Sequence, residues 1–225
     1  MTRLLNDDGS ASMATALLMS HHAFRRDIAR FEVALRGRTE LDAAHAAVLT
    51  EEWTQYHAAL HGHHQIEDTA MFPGMRTQHP DLGPIFDRLS ADHRQIDPLL
   101  ELGDRAFASV GTAPTAAAGV VAELSALLDR HLTLEEAHVV QFLRDAKGFP
   151  PPASPAELDL YAGGFAWSSD GIAPEVLAKL DEMLPPGLVE RLPTAREAFA
   201  TRRVRVWGNL PVGAAVTSIP DALAP

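Results

Sequence analysis

Apolar side chains recur at alternating intervals of four and three along the first two-thirds of the chain, and four histidines fall inside that pattern. Over residues 14–37 the stripe reads Leu17, His21, Phe24, Ile28, Phe31 and Leu35. Such spacing predicts a helix with one face in a bundle interior, and Gly37 is its natural stop. A second helix starts near Thr39, where Thr-Glu-Leu-Asp resembles a capping sequence. It carries Leu49, Trp53, Tyr56, Leu60, His63, Glu67 and Ala70, and Pro73-Gly74 marks its expected end. A third reads Ile85, Leu89, His93, Ile96 and Leu100, with Pro84 suited to its first turn and Pro98 to a kink. The fourth carries Val120, Leu124, Leu127, His131, Glu135, His138 and Phe142, stopping near Gly148. Helices of roughly 20–25 residues joined by short loops favour antiparallel neighbours. The expected fold is all-α, an up-down-up-down four-helix bundle over residues 1–148.

At Phe149 the composition changes. Pro150, Pro151, Pro152 and Pro155 form a stiff connector. Beyond it come Tyr161, Phe165 and Trp167, an amphipathic stretch over residues 174–184, and a helix over 188–206. Residues 149–210 are too few for an independent core. They are expected to form a helical extension that packs on the bundle or joins two chains as a homodimer. Residues 211–225, with several Pro, Gly and Ala and no clear period, read as a flexible tail.

A formal net charge of −11 over 225 residues argues against nucleic acid or an anionic membrane as partner, because both reward clustered Lys and Arg. There is no cysteine, which excludes disulfides, thiolate ligands and iron–sulfur clusters. A metal here would be held by nitrogen and oxygen. No signal-peptide run opens the chain and no membrane-length apolar segment follows, so a cytoplasmic protein is expected.

The chemistry lies in His21, His63, His93 and His131, one on each stripe, and in Glu67 and Glu135, each four residues after a histidine. Residues four apart share a helix face. A buried carboxylate is costly unless its charge is compensated, so six such groups converging in a core call for a cation. Six exceed the three or four protein ligands of one zinc. They suit two ions bridged by carboxylate, with positions open to small oxygen species; manganese or a mixed pair fits these ligands as well as iron. His64 lies near the same face as His63 and is a further candidate ligand. Asp68, Asp92 and Glu136 are candidates to orient imidazoles through their second nitrogen. His22 lies off its stripe and is expected to face solvent, while His57 and His61 read as a polar face.

These residues resemble the hemerythrin-like family, also called HHE cation-binding domains, whose pattern is H…HxxxE…H…HxxxE. The matching phrases are Ser-His-His-Ala-Phe around His21, His-His-Gln-Ile-Glu-Asp-Thr-Ala-Met-Phe-Pro from His63 through Glu67, Ala-Asp-His-Arg-Gln-Ile around His93, and His-Leu-Thr-Leu-Glu-Glu-Ala-His from His131 through Glu135. The resemblance implies a four-helix bundle holding two non-haem iron ions with oxo and carboxylate bridges, Glu67 and Glu135 bridging and the histidines terminal. It further implies reaction with O2, H2O2 or NO, of a catalase- or peroxidase-like or NO-reducing kind, in redox defence. The alternative is a non-catalytic oxygen or redox sensor, or an iron-binding module, acting through a protein partner. One departure stands out. Oxygen carriers of the family commonly place a second histidine one turn along the third helix, where this chain has Asp97. That favours reactivity over oxygen storage.

Overall fold

The computed structural model describes residues 3–146, 148–149, 152–208, 210 and 216–224, and among them every run of regular structure is helical. The order is α1 (Met13–Leu35), α2 (Ala43–Ile66), α3 (Phe72–Gln78), α4 (Gly83–Phe107), α5 (Pro114–His138), α6 (Val140–Leu143), α7 (Pro155–Ser168), α8 (Pro174–Asp181), α9 (Pro186–Val189) and α10 (Leu192–Trp207). No helix among the described residues is long and apolar enough to cross a membrane.

Local chemistry sets the boundaries. The α1 helix ends before Gly37, whose φ of +67° is left-handed and suits glycine. Asp42 caps α2 by accepting the His45 N–H at 2.9 Å. Pro73-Gly74 was expected to end the second helix, but helical structure continues to Gln78. A π turn over Glu67–Met71 restarts the bonding frame, which puts Pro73 in the first turn of α3, where no intrahelical N–H is required of it. Likewise α4 runs through Pro98 to Phe107. In the last third, Ser154 caps α7 by accepting the Glu157 N–H, and Pro155 opens that helix instead of extending the connector. Pro150 and Pro151 lie outside the described residues.

Contacts define two compact units, Asp27–His138 and Met1–Arg26 with Val139–Pro225. The first holds α2, α4, α5 and the trailing half of α1. Its α2 and α4 run antiparallel, since Trp53 meets Asp104, His61 meets Asp97 and His64 stacks on His93. Its core includes a cluster of Phe31, Trp53, Tyr56 and Phe107, with the Trp53 and Phe107 rings stacked at 4.6 Å. Gly103 makes room for this stack: a β-carbon there would lie 1.9 Å from the Trp53 ring.

The second unit packs the leading half of α1 against α7 to α10, with Leu17, Leu18 and Met19 in one core with Phe165, Leu180, Leu188 and Leu192. Arg26 donates to the Trp167 and Asp170 carbonyls, each at 3.1 Å, and Trp167 meets Phe24 edge-on at 4.9 Å. Residues 216–224, read from the sequence as part of a flexible tail, bring Ile219 and Ala222 into that core and tie back through the Ala224 N–H to the Gly171 carbonyl at 2.8 Å. Residues 211–215 and 225 lie outside the described residues.

Candidate metal centre

Register on α2 decides which histidine points inward. The buried positions step through Leu49, Trp53, Tyr56, Leu60 and His64. A step of four from Leu60 lands on His64 and leaves His63 at the edge of the face. His64 is accordingly 2% exposed, while the His63 side chain is 14% exposed. The next inward residue, Glu67, opens the π turn, in which the Phe72 N–H bonds to the Glu67 carbonyl. Such turns are frequent at functional sites. His93 comes from α4, and His131 and Glu135 from α5, all buried.

Two groups of ligand atoms form. His64, Glu67, His93 and His131 bring ring nitrogens and a carboxylate oxygen within 4.8 Å of one another, and His63, Glu67 and Glu135 do the same within 4.8 Å. Glu67 belongs to both groups. Its Oε1 lies 2.8 Å from His63 Nε2 and its Oε2 lies 3.3 Å from His93 Nε2. His93 Nε2 is also 3.3 Å from His131 Nε2. Donor atoms ~2.1 Å from one ion, at tetrahedral or octahedral angles, stand ~3.0–3.4 Å apart, so the spacing is that of a chelating set. Both ring nitrogens of His64 are buried and bond to none of the described residues.

Around the donors lies an orienting layer. Asp68 accepts a hydrogen bond from His93 Nδ1 at 2.8 Å and another from the Ser90 hydroxyl. A carboxylate only accepts, so Nδ1 carries a proton and Nε2 is turned toward the cluster. Phe72 stacks on His93 at 5.8 Å and on Phe86 at 5.1 Å, forming an apolar wall. Of the other two carboxylates expected to orient imidazoles, Asp92 is buried but pairs with Arg88 on its own helix at 3.3 Å, and Glu136 is half-buried.

The electrostatics of His64 and Glu67 favour the ligand state. Burial, and after it the neighbouring imidazoles of His93 and His63, holds the His64 pKa well below its ordinary 6.5, which keeps that ring neutral. Burial pushes Glu67 upward, yet the charge and hydrogen bond of His63 and the bond from His93 outweigh it, and Glu67 stays ionised well below 4.5. Burial also lowers His93, but its bonds to Glu67 and Asp68 prevail and its pKa is raised from 6.5. A neutral imidazole with bare nitrogens beside a buried carboxylate anion is the protonation state that metal binding demands. Without a cation, an anionic Glu67 at 2% exposure beside an unsatisfied His64 is an expensive arrangement. The residues fit a metal.

The model of the hemerythrin HHE cation-binding domain matches residues 12–147, more than half of the chain. The chain belongs to this family. No curated protein and no solved structure gives a match. For a hemerythrin HHE cation-binding domain, histidines and glutamates able to hold a cation are the expected equipment. The structure brings together His63, His64, Glu67, His93, His131 and Glu135. His21 is wholly buried on the leading half of α1, in the other compact unit. His22, expected to face solvent, is 5% exposed in that unit: the turn at Gly171 passes close by, such that a β-carbon there would lie 3.8 Å from His22 Nε2. Sequence reading did not find the Ser90–Asp68–His93 chain as a whole or the Phe72 wall. Asp68 lies off the inward stripe, and its role depends on where α4 approaches.

Proposed function

We propose that this chain is a non-haem di-iron protein built on an up-down-up-down four-helix bundle, and that it reacts with peroxide, oxygen or nitric oxide. The observation that carries this reading is the shared Glu67, common to both groups of donor atoms. One carboxylate placed between two donor sets is what a bridged pair of ions requires. His64, His93 and His131 would hold one ion and His63 and Glu135 the other. His21 enters the proposal on its helical register and complete burial alone. Nitrogen and oxygen donors suit iron and also admit manganese.

When bound, a ferrous pair supplies electrons and open coordination positions to a small oxidant. The chain does the rest. Asp68 fixes the tautomer and tilt of His93, and the Phe72–Phe86 wall keeps bulk water from the His93 side of the donors. The deciding experiment is aerobic purification without a chelating tag, followed by metal counting and near-ultraviolet absorption. Two irons per chain with an oxo-bridge charge-transfer band, both ions lost in Glu67→Ala, is the expected result, and peroxide turnover is the assay that follows. One zinc and no chromophore would overturn the di-iron reading.

A further inference from the structure

We infer that the outer seam between α2 and α4 is a second transition-metal site, separate from the buried groups, with His57 and His61 as its nitrogen ligands. Sequence alone makes these two residues a polar helix face, but the structure gives each a carboxylate from α4. His57 Nδ1 lies 3.0 Å from Asp104 Oδ1, and His61 Nδ1 lies 3.3 Å from Asp97 Oδ1. Asp104 is itself held by the Trp53 indole N–H at 2.9 Å on the same oxygen. A carboxylate cannot donate, so Nδ1 of each imidazole is the donor, and Nε2 is the ring atom left over for a metal. That is the carboxylate–histidine arrangement that prepares an imidazole for a metal. It occurs here twice, one helical turn apart on the same face.

The surroundings admit an ion. The two histidines border a cleft of about 380 Å³ with Trp53, Ala58, Asp104 and Phe107 in its lining. A water takes up about 30 Å³, so an ion can bring the waters that complete its coordination. The His57 and His61 side chains are 25% and 49% exposed, and the aspartates 47% and 43%, so an ion reaches them from solvent. The ring centroids stand 6.3 Å apart. Two imidazoles sharing one ion at ~2.1 Å and ~110° would stand ~5 Å apart, so the two rings must draw together by roughly 1 Å when an ion binds. Two imidazoles flanked by carboxylates suit a divalent ion of borderline softness: zinc, copper, nickel or cobalt.

The test is zinc uptake by the full-length protein, carrying the metal it is purified with, measured by equilibrium dialysis. The unaltered protein is expected to take up one more zinc per chain than the His57→Gln/His61→Gln double variant, with the buried metal content the same in both. Asp104→Asn and Asp97→Asn are expected to weaken that zinc about tenfold. In the unaltered protein, zinc is expected to shift the imidazole Cε1–H resonances of both histidines. Equal uptake by the double variant, or zinc binding that leaves those two resonances in place, would overturn the proposal. Glu67→Gln separates the two sites. If it strips the buried metals while the outer zinc stays, the outer site stands whatever becomes of the di-iron reading. If the outer zinc goes with them, that zinc was never at the seam.

Discussion

Asp68 is expected to matter to the metal without touching it. Its carboxylate is 37% exposed and spends its oxygens on Ser90 and on His93 Nδ1. Replacing it by asparagine keeps the size and an acceptor but removes the charge, and it lets the amide offer a donor to Nδ1. Metal affinity is therefore expected to fall about 10–100-fold with the fold intact, measured by competition with a chelator. An unchanged affinity would remove Asp68 from the centre. His64→Ala makes a sharper prediction at the same scale. Its ring belongs to the group with His93 and His131 and not to the group with His63 and Glu135, so metal content is expected to drop from two ions to one, whereas Glu67→Ala loses both. At this scale much of the site was legible in the sequence, because a histidine on a helical stripe and a glutamate one turn on are periodic signals. The ranking of His64 over His63 needed the true step of the helix. Asp68 needed a neighbour from another helix, which no single-strand period encodes.

Among the elements, α2 and α4 are locked by a contact that a single methyl would break. The Trp53 ring lies over Gly103, stacks on Phe107 and bonds Asp104, so it has no room to give when a β-carbon would sit 1.9 Å away. Gly103→Ala is expected to cost about 3 kcal/mol or more, read from the denaturant midpoint; a loss under about 1 kcal/mol would mean the ring moves freely. The start of α7 carries a different prediction. Glu157 accepts the Ala153 N–H and the Tyr161 hydroxyl, and those bonds depress its pKa below 4.5. A depressed carboxylate stabilises the fold above its ordinary value, and the effect fades as pH falls through the lowered one. The melting temperature of Glu157→Gln should thus trail the parent near about pH 7 and meet it near about pH 3; a gap that is constant with pH would contradict this. The stop at Gly37 could be read from sequence, whereas the α2 cap falls at Asp42, three residues after the Thr39 expected to start that helix. The passage of the chain through Pro73 could not be read, because one π turn shifts the bonding frame without leaving a compositional mark.

For the whole molecule, the decisive quantity is how far a cation stabilises a chain that buries its candidate ligands. Residues 27–138 enclose Glu67, Glu135, His64, His93 and His131, none more than 2% exposed. An unfolded chain offers those donors scattered and hydrated, so an ion that binds the folded state raises stability by RT ln(1 + [L]/Kd), about 2.7 kcal/mol at a hundredfold excess over Kd. The sequence marks its boundary at residue 149, whereas the contacts join Met1–Arg26 to Val139–Pro225. One stripe per helix is what periodicity detects, and Leu18 and Met19, on a second apolar edge of α1, are what the extension covers. That partition supplies a probe. Trp53 lies in the unit of residues 27–138, while Trp167 and Trp207 lie in the other. In a Trp167→Phe/Trp207→Phe background, Trp53 fluorescence reports the unit that holds these five buried candidate ligands. Anaerobic addition of ferrous iron to metal-stripped protein is expected to raise its thermal midpoint by several degrees, with a shift that grows with the logarithm of iron concentration. Introducing Glu67→Gln should abolish the shift, because that one carboxylate serves both groups. A shift that survives Glu67→Gln would place the stabilising ion elsewhere in the chain.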